Sequence, residues 1–235
     1  MTTWPDLPSV LESTLHAPLR ARLEAGEGGP PPAPPWDTRV SAVLWWHRAS
    51  PAALAHVPSA LRDFKTLPIT VGALVRYQES PVGSYSEVFA SPVLLRRRGL
   101  PAVTVPFIAV DSLASVVGGR AGWNLPKTLA RALWPADGPA RLETDEWSVS
   151  VGVTPATRTG AGPLLPLRGA LPVIQASPDG GRRRSTVRLR GRARFSRADV
   201  STRGPSLPQW LLTGRHPCLT ISGARMQITA PERSV

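Results

Sequence analysis

Prolines and glycines interrupt this chain so often that long helices are hard to place. There are 27 prolines and 20 glycines in 235 residues, spread along the whole length. Proline removes a backbone donor and glycine weakens regular structure, so the pattern favours many short elements joined by tight turns. The hydrophobic share of 42% is enough for a buried core, and a charged share of 19% is too low for a disordered, charge-rich chain.

The apolar pattern after residue 36 is that of strands. In Arg39–Trp46, Val40, Ala42 and Leu44 alternate with Ser41, Val43 and Trp45. Further strands are predicted at 68–77, 84–96, 102–110, 140–145, 147–154, 168–176, 185–196 and 218–229. Ser50-Pro51 opens a short helix through Leu54. Asp111 or Ser112 caps another through Val117, ended by Gly118-Gly119. A run of eight or so strands with few helices implies an α+β, mainly antiparallel fold, closing into a barrel or a sandwich. Residues 9–25 have a loose helical period, with Ser9 as N-cap and an interruption at Pro18. Gly-Glu-Gly-Gly-Pro-Pro-Pro-Ala-Pro-Pro (26–35) is a loop or stiff linker. Residues 1–35 therefore read as an N-terminal arm outside the core, and 36–235 as one β domain. No internal repeat is visible.

A net charge of +12 raises nucleic acid, an anionic membrane or an anionic small molecule as partners. Segment 182–197 places Arg188, Arg190, Arg192 and Arg194 at even positions. Val187, Leu189, Gly191, Ala193 and Phe195 hold the odd ones. In a strand the odd face packs, and four guanidinium groups line the other face. Such a stripe could follow a phosphate backbone. It lacks interleaved exposed aromatics, and no nucleic-acid-binding signature accompanies it, so a solvated face or a subunit contact is favoured. The single Cys218 excludes an intrachain disulfide and is expected to pack in a strand. There is no secretory leader and no run of about 18 apolar residues, so the expectation is a cytoplasmic protein without a membrane partner. His47, His56 and His216 lack metal-ligand spacing, and neither metal nor cofactor is expected.

Only two of the 28 basic residues are lysines, Lys65 and Lys127. Arginine cannot serve as an amine nucleophile, whereas lysine can when its surroundings disfavour the ammonium. Lys65 follows Asp63 and reads as surface. Lys127 has Trp123, Leu125, Pro126, Leu129, Ala130 and Leu133 around it, with Asp111 and Asp137 as the nearest acids. That setting is expected to depress its pKa.

Gly119-Arg120 followed by Leu125-Pro126-Lys127-Thr128-Leu129-Ala130 resembles the Schiff-base segment of the acetoacetate decarboxylase family. Gly83-Ser84-Tyr85-Ser86-Glu87 is similar to the family's Gly-x-Tyr-x-Glu element, and Arg39 precedes a hydrophobic strand where the family carries an arginine. The resemblance covers roughly 36–230 and marks a divergent member. It implies a closed β-barrel with a few short helices, homo-oligomers, and a lysine iminium enzyme acting on a small keto acid as a decarboxylase-type carbon–carbon lyase. Lys127 is the implied nucleophile and Glu87 the acid/base. Arg39, Arg120 and Tyr85 are the implied substrate-binding residues. Three family positions differ. Thr128 stands where a second lysine is usual, Gly72 is nearest to a second active-site glutamate, and Ala121 replaces the glutamate after Gly-Arg. Aldol or dehydration chemistry on 2-oxo acids, and a non-catalytic ligand-binding role on the same fold, remain alternatives.

Overall fold

The computed structural model describes residues 4–7, 9, 17–96, 99, 101–155 and 163–233. Among the described residues there are three α-helices, α1 (Ala17–Glu24), α2 (Pro51–Ala55) and α3 (Leu113–Trp123), and a short 3-10 helix at Ser59–Leu61. The strands begin with β1 (Trp36–Arg48), β2 (Lys65–Leu67), β3 (Ile69–Glu79), β4 (Tyr85–Ser91) and β5 (Leu94–Arg96). They continue with β6 (Ala102–Val103), β7 (Phe107–Val110), β8 (Thr128–Leu129), β9 (Arg131–Leu133) and β10 (Ala140–Glu143). The last are β11 (Ser148–Pro155), β12 (Leu165–Ala176), β13 (Arg182–Arg203), β14 (Gly214–Ile228) and β15 (Glu232–Arg233). All belong to one mixed sheet, in which β6–β12 and β7–β8 pair parallel and the remaining pairs are antiparallel.

The main pairing path runs β2-β5-β6-β12-β13-β14-β1-β3-β4-β7-β8. The closed barrel is therefore corrected in detail: the path does not return to its start as a hydrogen-bonded ring. Its turn is completed by covalent continuity. β2 and β3 are one chain segment broken only at Pro68, which has no N–H for a ladder. The predicted strand 84–96 likewise splits into β4 and β5 around Pro92, whose carbonyl accepts from Thr70 Oγ1 at 2.8 Å. A long hairpin thus bends at two prolines, and its two halves join opposite ends of the path.

The central strands are buried on both faces. On β1, β3 and β4, one set of side chains (Trp45, Leu74, Val88, Ala90) enters one apolar cluster. The alternate set (Val40, Ala73, Val75, Tyr85) enters another. β13 passes from the second cluster to the first, because Ala193 belongs to one and Ala198 and Val200 to the other. The expected alternation holds as far as Ala193, with Arg188, Arg190 and Arg192 exposed. It then reverses phase: Phe195, expected to pack, is 56% exposed, and Arg194 is half-buried.

Residues read as an arm outside the core pack onto it. Leu19 and Leu23 of α1 are buried in the same cluster as Val40, Val75 and Val116. Pro18 lies within α1, and the expected helical residues 10–16 lie outside the described residues. The helix expected to stop at Gly118-Gly119 instead runs on to Trp123 and ends at Asn124, in the left-handed conformation (φ 54°). The glycines serve close packing rather than termination. A Cβ on Gly118 would lie 2.3 Å from the Trp36 ring, and one on Gly119 would lie 2.5 Å from Cδ of Lys127. No helix among the described residues is long and apolar enough to cross a membrane.

Candidate active site

Lys127 is held by the way α3 ends. Asn124 N donates to Arg120 O, Leu125 N to Gly119 O, and Lys127 N to Leu125 O at 2.7 Å. This turn folds the chain back so that the lysine stem lies against Gly119, and β8 then anchors it by pairing Thr128 with Ala109. Arg120, 4% exposed, donates from Nε to Lys127 O at 2.9 Å. Burial pulls its pKa down to about 10, which leaves it cationic at neutral pH.

Glu87 reaches the same place from the sheet. Alternation on β4 turns Tyr85, Glu87 and Phe89 to the face opposite Val88 and Ala90. Glu87 pairs with Val75 on one side and Val110 on the other. Its Oε2 lies 2.7 Å from Lys127 Nζ, with both side chains about 5% exposed or less. This is a contact of charges rather than an aligned hydrogen bond, since Oε2 accepts none from the described residues. Nζ donates instead to Ser115 Oγ at 2.9 Å, and Tyr77 Oη donates to Glu87 Oε1 at 3.1 Å. Tyr77 and Tyr85 stack with centroids 4.1 Å apart, and Nζ stands 5.2 Å from the Tyr85 ring, within the range of a cation–π contact.

Lys127, Glu87, Tyr77 and Tyr85 stand in the wall of a cavity of about 330 Å³. Apart from Lys127, Glu87, Tyr77, Tyr85 and Thr38, its lining is apolar or glycine, from Trp36 and Val40 across to Leu189 and Met226. Thr38 already donates to Met226 O. No arginine and no second carboxylate lines it among the described residues.

The surroundings set the resting charge. Burial, the largest single influence, pushes the Lys127 ammonium towards deprotonation, but the Glu87 carboxylate and the Tyr85 hydroxyl together outweigh it. The pKa is raised, not depressed as the apolar sequence neighbours suggested. Burial likewise raises Tyr85, and Tyr77 still further with help from Glu87, so both phenols stay protonated. Burial pushes the Cys218 thiol up to about 11, which removes it as a rival nucleophile at neutral pH.

Of the sequence-predicted site residues, Lys127, Glu87 and Tyr85 come together. Arg120 stands behind the lysine backbone and does not line the cavity. Arg39 is at the surface, 57% exposed, with Glu79 3.6 Å away. Gly72 faces the other core, where a Cβ would lie 2.3 Å from the Trp45 ring, so no side chain at that position could reach the lysine. Tyr77 and Ser115 are additions. Tyr77 had a readable signal: it and Tyr85 are the only tyrosines and flank one hairpin turn, which makes them cross-strand partners. Ser115 sits one helical turn before Gly118-Gly119, a signal visible only once the helix is known to continue.

In Glu87→Gln the main opposition to desolvation is gone, so reductive trapping of Lys127 with a ketone and cyanoborohydride should show its pH midpoint displaced below that of the wild type. An unchanged midpoint would mean that Glu87 does not govern the lysine. In Gly119→Ala the added methyl displaces the lysine stem while favouring the helix. Trapping should slow on the order of 10²-fold, the cost of about 1 Å of misplacement, with the circular dichroism spectrum retained.

No family model and no curated protein matches the sequence. Solved structures match the fold. Acetoacetate decarboxylase from Legionella pneumophila aligns over 91% of this chain and 95% of its own, at 15% identity and a TM-score of 0.63. An acetoacetate decarboxylase-like enzyme from Sphingomonas wittichii RW1 aligns over 87% and 94%, at 14% identity and a TM-score of 0.61. The enduracididine biosynthesis enzyme MppR, solved with pyruvate, aligns over 89% and 93%, at 14% identity and a TM-score of 0.59. The chain has the acetoacetate decarboxylase-like fold. Within it, an amine and a carboxylate meet in the wall of an apolar cavity.

Proposed function

We propose that the chain is a Schiff-base carbon–carbon lyase that decarboxylates a 3-oxo acid, with Lys127 as nucleophile and Glu87 as acid/base. The observation that carries this reading is the buried Lys127–Glu87 contact of 2.7 Å in the wall of an otherwise apolar cavity. Glu87 takes a proton from the ammonium, and the freed amine adds to the substrate ketone. Returning that proton to the carbinolamine oxygen expels water and leaves a protonated imine. The bond between the α-carbon and the carboxylate then breaks, its electrons enter the enamine, and CO₂ departs. Protonation of the enamine carbon and hydrolysis of the imine release the ketone and regenerate the lysine.

The apolar walls favour this outcome over aldol or dehydration chemistry on a 2-oxo acid. An iminium and a carboxylate become a neutral enamine and neutral CO₂, so charge disappears at the step that breaks the bond. A site of low polarity penalises the reactant more than the transition state. A 2-oxo acid would keep its carboxylate throughout, and among the described residues no guanidinium lines the cavity to hold it. MppR has been solved with a condensation product of pyruvate, so the test must separate the two chemistries. The protein is incubated with acetoacetate, or with pyruvate and an aldehyde, and CO₂, condensation products and reduced adducts are measured. Release of CO₂ with an adduct on the Lys127 peptide is expected. Condensation without CO₂ would replace the lyase reading by the aldol one, and no adduct with any keto acid would end both.

A further inference from the structure

We infer that this site is built for carbonyl substrates carrying an extended apolar chain, with the carbonyl at Lys127 and the chain lying along β12, β13 and β14. The inference rests on the Schiff-base reading for the chemistry at the lysine, and on the cavity for the rest. An apolar cavity of about 150 Å³ accommodates benzene. At about 330 Å³, this one would be left roughly half empty by acetoacetate, a molecule of similar bulk.

The polar groups are also segregated. Glu87, Tyr77 and Tyr85 come from β3 and β4, and Lys127 directly precedes β8; Thr38 on β1 has its hydroxyl already donated to Met226 O. The wall supplied by β12, β13 and β14 offers Leu167, Leu171, Val187, Leu189 and Met226. Those side chains are only half-buried although they face inward. They constitute apolar surface that a ligand's chain would cover. Among the described residues, β12 pairs with β6 only at Val173, so its first half, where Gly169 lines the cavity, has β13 on one side and no described strand on the other.

The chain preference can be read without the imine. Secondary 2-alkanols, which cannot condense with an amine, are titrated by thermal shift from 2-butanol to 2-decanol. The half-saturating concentration should fall about fourfold for each added CH₂ and level off once the chain fills the cavity. The matching methyl ketones are then trapped with cyanoborohydride and should follow the same order. Gly169→Phe, which adds a ring in open space at the rim, should flatten both series. A flat alcohol series in the wild type overturns the inference whatever the ketones do, and so does a series unchanged by Gly169→Phe. Chain-dependent alcohol binding with no ketone adduct upholds the ligand class and overturns the Schiff-base reading instead.

Discussion

Lys127→Met should leave no reducible ketone adduct on the protein and lower CO₂ release by a factor on the order of 10⁴ or more, the scale on which removal of a covalent nucleophile acts. Methionine keeps the length and shape of the lysine stem against Gly119, so the cavity wall stays in place and only the amine is lost. Lys65 provides the control. It lies exposed on β2, away from the cavity, and Lys65→Met should behave as the wild type. Mass spectrometry of the reduced protein and a CO₂ assay decide the matter. An adduct that survives in Lys127→Met would transfer the chemistry to another group.

The second large effect concerns stability. Glu87→Leu leaves a buried ammonium without its carboxylate and should cost about 3–5 kcal/mol. For a chain of this size that lowers the melting temperature by roughly 6–20 °C. The double variant Glu87→Leu/Lys127→Met removes both charges and should return to within about 1 kcal/mol of the wild type or exceed it. Denaturant melts of the four proteins complete the cycle, and additive losses would show that the two charges are not coupled. The pH dependence follows from the sign of the shift. The folded-state pKa of Lys127 lies above its ordinary value of 10.5, so its contribution is complete below that value. It is lost only as the pH climbs through the raised one. Strong alkali should therefore remove this lysine's contribution.

Much of this arrangement is legible in the residues, and the parts that are not have physical causes. Alternation in Arg39–Trp46 and around Glu87 identifies strands and gives side-chain facing, because period two is a local property. Which face meets which core is not local, and Phe195 shows the consequence: β13 changes cores midway and the pattern inverts. The lysine and its segment can be found by composition and resemblance. Its charge state cannot, because the nearest acids in sequence are Asp111 and Asp137, whereas the one that sets it is 40 positions away on β4. The glycines mislead for a related reason. Gly118-Gly119 resembles a helix stop, but it provides the room in which Trp36 and Lys127 lie against a helix that continues.

The central sheet, apolar on both sides, carries an implication for how faithfully the chain folds. A strand with one wet face has its register enforced by solvent, since a slip of one residue exposes its apolar set. β4 and the Val71–Val75 stretch of β3, buried on both faces, have no such enforcement of their own: a slip would exchange Val75 for Leu74, or Phe89 for Val88, one hydrocarbon for another. The polar minority must supply the discrimination. Displaced by one residue, Glu87 would leave Lys127 and enter the opposite apolar core, in the place Val88 now holds with Leu74 and the Trp45 ring. The group proposed to move protons in the finished protein is therefore also a proofreading mark during assembly, because it makes every neighbouring alignment of the hairpin expensive.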